Sequence, residues 1–269
     1  MPFRLGSEAA SEGYGLVAFD QIGSTNAEAM ARARNGERGP VWLVTSEQTA
    51  GRGRRQRPWI APRGNLAASI LEVLDVAPAV AATLGFAAGL ALEAALRRLS
   101  VEAARCAASA QDLKLSLKWP NDVLAGRQKL AGILLEAEAV ADRLAVVVGI
   151  GTNVVAAPAG TPTPATSLRA LGIEADAETL FAALSDGWAE FRGIWHDGRG
   201  FAEIRHRWLE RACGLGQAVA IEWGGASIEG TFNTIDEQGR MIVRTTAGRL
   251  VPVSAGDVYF GSARSMGTS

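Results

Sequence analysis

Leu113-Lys114-Leu115-Ser116-Leu117-Lys118-Trp119-Pro120-Asn121-Asp122 is the stretch on which the fold turns. Apolar and polar residues alternate, so Leu113, Leu115, Leu117 and Trp119 share one face of a strand and Lys118 lies on the opposite, polar face. Pro120-Asn121 breaks the ladder. Asp122-Val123-Leu124 and Lys129-Leu130-Ala131 then flank Ala125-Gly126-Arg127-Gln128, a hairpin signal. A turn centred on Gly126-Arg127 pairs Leu124 with Lys129 and Asp122 with Ala131. Asp122 and Lys129 then sit diagonally on one face, within reach of a shared ligand. An exposed ion pair would have the same geometry and contribute little.

Downstream, residues 133–139 and 143–154 form a second hairpin pattern around Ala141-Asp142. Its later arm contains Gly149-Ile150-Gly151-Thr152-Asn153, and glycines inside an apolar strand mean a bulge or a close backbone approach. Of the two, the bulge is the simpler reading. A Pro/Thr/Gly loop over 158–164 leads to a helix from Asp176 that aligns Leu180, Leu184, Trp188, Phe191 and Trp195 along one apolar seam. Another helix covers 201–209, and Gly214 and Gly216 mark a boundary. Beyond it come short alternating strands at 218–223, 227–235, 241–245 and 250–253, SH3-like in size and spacing.

Upstream, apolar residues at helical spacing predict a helix over 79–99, and strands are expected at 15–22, 41–45 and 65–71. Residues 1–13 are small and polar, the composition of a frayed tail. Thr25 and Glu28 in Gly23-Ser24-Thr25-Asn26-Ala27-Glu28 have capping-box spacing and start a helix. With Thr25 as the cap, the Ser24 hydroxyl and Asn26 amide stay free beside the positive end of the helix dipole, where a polar or anionic group would sit well.

Between these elements lies Gly51-Arg52-Gly53-Arg54-Arg55-Gln56-Arg57-Pro58-Trp59, with four arginines in six residues. Such a segment cannot pack into a core and its like charges repel, so on its own it is expected to be mobile. Guanidinium forks suit carboxylate and phosphate oxygens, and Trp59 offers an aromatic face. Three readings compete: a solvated basic loop, a nucleic-acid contact, and a loop that closes over an anionic substrate.

Composition narrows the choice. A formal net charge of −1 over 269 residues argues against a general nucleic-acid or anionic-membrane binder. Cys106 and Cys213 are too far apart to suggest a disulfide framework, and neither they nor His196 and His206 have metal-ligand spacing. No basic-then-apolar leader pattern opens the chain, and the uncharged stretch 76–92 reads as a buried helix, so a reducing cytoplasm is the expected compartment. Of 27 basic residues 24 are arginine, and the three lysines, Lys114, Lys118 and Lys129, fall in one short window. Arginine does not replace a compact ammonium, which singles out Lys118 and Lys129; Lys114 reads as part of a solvated strand face.

The hydroxyl pair at a helix start, the arginine–glycine loop, Lys118-Trp119-Pro120-Asn121-Asp122 with Lys129-Leu130-Ala131-Gly132-Ile133-Leu134, and the Gly-x-Gly-x-Asn strand resemble, in this order and spacing, the biotin protein ligases. The resemblance runs from about residue 23 to 153 and weakens through the C-terminal module. It implies an α/β (α+β) fold: a mixed sheet with packed helices, related to class II aminoacyl-tRNA synthetases, followed by a small SH3-like β-barrel. A catalytic domain over 14–212 and a C-terminal domain over 213–269 are expected. Ser24, Thr25, Asn26 and Gln48 would bind the ureido and ring end of biotin. Arg52, Gly53 and Arg54 would close over the biotin carboxylate and the adenylate phosphate, with Lys129 on the same oxygens and Lys118 nearby. Arg55, Trp59, Gly149, Gly151 and Asn153 would serve the nucleotide. Asp122 would help to deprotonate the acceptor lysine or only orient Lys129.

The resemblance further implies biotin and ATP as substrates, with Mg2+ as the ATP counterion and no protein metal site. The partner would be the biotin carboxyl carrier protein of acetyl-CoA carboxylase. No DNA or membrane partner is expected, and the chain would be a monomer or homodimer. Some relatives carry a helix-turn-helix ahead of the ligase; with the first motif at Ser24 there is no room for one, so a ligase alone is expected. The pattern departs from the family at Gln56, where a small residue is usual, and at Ala61, where serine is common. A lipoate ligase on the same fold is the rival, and the arginine loop with Lys-Trp-Pro-Asn-Asp favours biotin.

Overall fold

Seven strands carry the larger part of the molecule. In the computed structural model, which describes residues 2–106, 113–161, 163–223 and 226–260, β1 (Gly15–Phe19), β2 (Val41–Thr45), β3 (Leu66–Leu74), β4 (Leu115–Lys118), β5 (Asp122–Ala125), β6 (Gln128–Val140) and β7 (Arg143–Thr152) form one sheet in the order β1-β2-β3-β7-β6-β5-β4. β1 runs parallel to β2 and every other pair is antiparallel, so the sheet is mixed as expected.

Alternation assigns the two faces. In β2, Trp42 and Val44 join the large core, while Val41 and Leu43 join a smaller one with Ala29, Met30 and Ala33 of α2 (Thr25–Arg34). On the large-core side lie α4 (Leu84–Cys106), preceded by the single turn α3 (Pro78–Ala81), with α5 (Ala177–Trp195) and α6 (Phe201–Leu209). The seam predicted for α5 is buried throughout, and Trp42 meets Phe181 and Trp188 edge-on at centroid distances of 5.5 and 6.0 Å. Residues 78–105 are long and apolar enough to cross a membrane, but most of that apolar stretch is buried inside the protein.

The first residues do not form a frayed tail. α1 (Ser7–Ser11) is docked on α5, with Gly6 N–H donating to Ser185 Oγ at 2.9 Å. The Glu8 and Ala9 N–H groups donate to Asp186 Oδ1 at 2.9 and 3.1 Å, a carboxylate at a helix start. A second expectation also shifts: β4 begins at Leu115 because Lys114 has φ 41° and leaves the ladder.

The C-terminal strands are β8 (Ala218–Trp223), β9 (Ala226–Ile235), β10 (Met241–Arg244), β11 (Leu250–Val253) and β12 (Asp257–Phe260), an antiparallel sheet in the order β11-β10-β9-β8-β12. β12 was not foreseen, and residues 261–269 of the expected domain lie outside the described residues. This small sheet is packed against the larger part: Trp119 Nε1 donates to the Gly239 carbonyl at 3.1 Å, and Arg205 to that of Ile235 at 2.8 Å.

Candidate functional site

Helix α2 begins one residue earlier than the capping-box spacing implied. Ser24 is extended (φ −155°, ψ 125°) and is itself the N-cap, its hydroxyl accepting from Ala27 N–H at 3.4 Å. Glu28 does not reach back; it pairs with Arg32. The freed groups are therefore different ones. Thr25 N–H donates to Gln48 Oε1 at 2.9 Å, and Thr25 Oγ1 lies 3.2 Å from the same oxygen. Ser69 Oγ, from β3, is 2.7 Å from Thr25 Oγ1 and 2.6 Å from Asn26 Oδ1. Asn26 Nδ2 donates to Glu136 Oε2 at 2.8 Å and to the Leu134 carbonyl at 3.2 Å. Ser24, Thr25, Asn26 and Gln48 line one end of a cavity of about 530 Å³, and Ser69 and Glu136 hold them from behind.

The two strand glycines explain the shape of that end. Both β7 ladders run in unbroken register through Gly149 and Gly151, so the expected bulge is absent and close approach is the cause. A Cβ on Gly149 would lie 2.1 Å from Asn26 Oδ1; one on Gly151 would lie 2.5 Å from Trp59 Nε1. Gly149 thus admits the amide, and Gly151 admits the indole.

In the middle of the cavity the β5–β6 hairpin has the expected turn, Ala125 opposite Gln128 and Leu124 opposite Lys129. A register shift follows, so Val123 faces Ala131 and Asp122 faces Gly132, not Ala131. Leu130 is the extra residue of a bulge, and bulges re-aim side chains. The diagonal pair survives the shift: Lys129 Nζ is 2.6 Å from Asp122 Oδ1 and 5.5 Å from the Trp59 ring centroid. Lys118 lies opposite Asp122 across β4–β5, and burial lowers its pKa, opposed by Asp122.

The arginine loop is folded back over this region. Gly53 N–H donates to the Arg57 carbonyl and Trp59 N–H to that of Gly51, at 2.7 and 2.9 Å. Its tip places Arg55 and Gln56 at φ 57° and 59°, the left-handed region where a small residue, above all glycine, is at ease and glutamine is strained. Burial depresses the Arg54 pKa; its guanidinium lies 3.4 Å from both Asn121 Oδ1 and the Gly256 carbonyl. Arg55 and Arg57 each pair with Asp257 Oδ2 at 2.7 Å. The segment expected to be mobile is thereby neutralised from outside, by an acid of the C-terminal sheet.

Of the residues singled out from the sequence, Ser24, Thr25, Asn26, Gln48, Arg52, Gly53, Arg54, Trp59, Lys118, Asp122, Lys129, Gly149, Gly151 and Asn153 all line this one cavity. Arg55 does not; its guanidinium pairs with Asp257, which is itself part of the cavity wall. Sequence reasoning missed Ser69, Glu136, Asn121 as a link to Arg54, and the wall formed by Gly256 to Tyr259. Only Asn121 stood inside a motif that could have drawn attention to it. At the cavity's other end Asn153 donates from Nδ2 to the Thr166 carbonyl at 3.1 Å, while its buried Oδ1 and the buried Trp59 Nε1 have no partner among the described residues.

The chain is similar to known proteins over most of its length. The biotin/lipoate A/B protein ligase family matches residues 19–153, which sets the class. The biotin protein ligase C terminal domain matches residues 214–261. The chain belongs to the biotin protein ligases. It is 41% identical over 245 residues to a biotin–[acetyl-CoA-carboxylase] ligase of Paracoccus denitrificans, covering 88% of this chain and 97% of that protein. With the ligase of the same name from Mycobacterium tuberculosis it shares 39% identity, covering 88% and 86%. Among solved structures, the Aquifex aeolicus biotin protein ligase in complex with biotin and ATP has the same fold, with a TM-score of 0.69, 24% identity, and coverage of 92% and 99%.

Proposed function

We infer that this chain joins biotin to a lysine of the biotin carboxyl carrier protein of acetyl-CoA carboxylase, in two steps through biotinyl-5′-AMP. The observation that carries this is the convergence of Arg52, Arg54, Lys118 and Lys129 between a hydrogen-bonding end, built from Thr25, Asn26 and Gln48, and an end lined by Trp59 and Asn153. Relatives that align over nearly their whole length bear that activity in their names.

In the first step a carboxylate oxygen of biotin attacks the α-phosphorus of ATP and pyrophosphate leaves. The enzyme's main task is to bring two anions together. At close range and in a surface-like dielectric their repulsion is about 4 kcal/mol, which one well-placed cation offsets. Arg52 and Arg54 from the loop and Lys129 from β6 would do this, with Lys118 beside them. Asn153 Oδ1, without a partner among the described residues, would accept from an exocyclic amine, and the Trp59 indole would offer a face to a base. In the second step the acceptor amine attacks the acyl carbon and AMP leaves. Asp122, held on Lys129, either takes the proton or orients that lysine. The closed loop keeps water from the anhydride.

Mg2+ would enter on the ATP phosphates, the ligands it ordinarily combines with waters in nucleotide sites. The working division is a catalytic domain over 14–212 and a C-terminal domain over 213–269. The two parts share one wall of the cavity through Gly256 to Tyr259. A cytoplasmic monomer or homodimer without DNA or membrane contacts completes the reading.

Biotin-dependent ATP–pyrophosphate exchange by the purified chain is the test. Exchange driven by lipoate and not biotin would transfer the assignment to the lipoate branch. No exchange with either, together with RNA or DNA binding that weakens steeply with salt, would overturn it.

A further inference from the structure

Glu136 lies on β6, outside every motif and behind the cavity wall, yet each of its carboxylate oxygens meets a residue that lines the cavity, Asn26 or Arg52. Oε2 accepts from Asn26 Nδ2 at 2.8 Å, and Oε1 is 3.8 Å from Arg52 Nη2. The second hydrogen on Asn26 Nδ2 goes to the Leu134 carbonyl, so both amide hydrogens are used within the protein. Ser69 Oγ is 2.6 Å from the opposite atom, Asn26 Oδ1, which is also the atom a Cβ on Gly149 would strike. A carboxylate can only accept, so Glu136 forces the amide to turn its nitrogen toward β6 and its oxygen toward Ser69 and Gly149. What Asn26 can still offer a ligand is an acceptor.

We propose that Glu136 is a positioning residue: it fixes the Asn26 amide as an acceptor for a cyclic N–H donor and joins that subsite to Arg52 of the closing loop. A plain tie between α2 and β6 is the competing role. That tie already exists two residues along, where Arg34 of α2 grips Glu138 at 2.5 Å. Glu136 is the one of the two that faces Asn26 and Arg52.

The inference rests on the biotin reading. It is tested by measuring biotin affinity by calorimetry and exchange kinetics on the full chain and on E136Q. Glutamine keeps the size but can donate as well as accept, so the Asn26 amide is free to flip. The expected result is a rise of about tenfold in the Kd and KM for biotin, the effect of one hydrogen bond. The kcat at saturating biotin should stay within about twofold and the KM for ATP should not move. Biotin methylated on a ureido nitrogen should be penalised less in E136Q than in the unaltered chain.

Unchanged biotin KM with a lowered Tm would overturn the proposal, leaving Glu136 as a tie. So would a lost kcat at unchanged KM. Should E136Q not fold, E136A removes the acceptor that fixes the Asn26 amide and must show the same rise confined to biotin KM. If the unaltered chain shows no biotin-dependent exchange, the function itself falls; if it does and both variants match it, only Glu136 falls.

Discussion

The two sides of the cavity are held in unlike ways. At the helix-start end, Thr25, Asn26 and Ser69 are 3%, 6% and 0% exposed and are locked to one another and to Glu136 by hydrogen bonds. Over the middle, the arginine loop is held at its tip by Arg55 and Arg57, 41% and 61% exposed, on one aspartate of another sheet. Buried, satisfied networks rigidify, whereas exposed ion pairs are weak and screened by salt. On the proposed reading this difference divides the tasks: the floor would decide what is bound, and the flap when the site is closed.

The floor should break hardest. In Gly149→Ala the new methyl would overlap the Asn26 amide, and the rigid β3–β7–β6 ladders cannot yield to it. A displaced recognition group near 1 Å costs about a hundredfold. Biotin-dependent exchange should therefore fall by about that factor, with an unchanged far-UV spectrum and a Tm lowered by the disturbed Asn26 hydrogen bonds. Exchange within a few fold of normal would mean that the floor is as adaptable as the flap.

A smaller effect separates the lysines in the middle of the cavity from the arginines above them. Burial lowers the Lys118 pKa, so its ammonium is lost at lower pH than the ordinary lysine value of 10.5. Exchange should decline on the alkaline side before that value is reached. Lys118→Arg keeps its charge and should show no such limb, even if its plateau is lower. Between the depressed value and 10.5 the unfolded chain binds more protons at this site than the folded one. Folding stability from Lys118 therefore rises with pH across that window. An alkaline limb of the same position in Lys118→Arg would remove Lys118 from the chemistry.

This comparison also says why some of the site was legible and some was not. Lys118, Asp122 and Lys129 could be placed because alternation and a two-residue turn fix faces within a hairpin. The bulge at Leu130 could not be read, since no local residue announces it, and it moved Asp122 from opposite Ala131 to opposite Gly132. Ser24 and Thr25 are both good caps, and only the backbone angles choose Ser24. Gly149 and Gly151 declared that something comes close, but not that it was Asn26 and Trp59, which are distant in sequence. Ser69 and Glu136 looked like ordinary strand residues. Asp257 was invisible for a further reason: its strand had not been foreseen, and its partners are some 200 positions away.

The flap gives the smallest and most specific effect. Asp257→Asn removes the charge that holds both Arg55 and Arg57 and leaves a side chain of the same shape. Partly exposed ion pairs contribute about 0.2–1 kcal/mol each, and two that share one carboxylate do not add fully. Cleavage within residues 51–59 by trypsin, without ligands, should therefore rise only about three- to tenfold. Added salt should accelerate cleavage of the unaltered chain and leave Asp257→Asn almost unaffected, because screening can only weaken an attraction that is present. Biotin with ATP should protect both proteins alike, since the cations then have anions of their own inside the cavity. Equal cleavage of the two chains at low salt would mean that the loop's own backbone bonds, Gly53 to Arg57 and Trp59 to Gly51, hold it shut, and that the flap is as self-supporting as the floor.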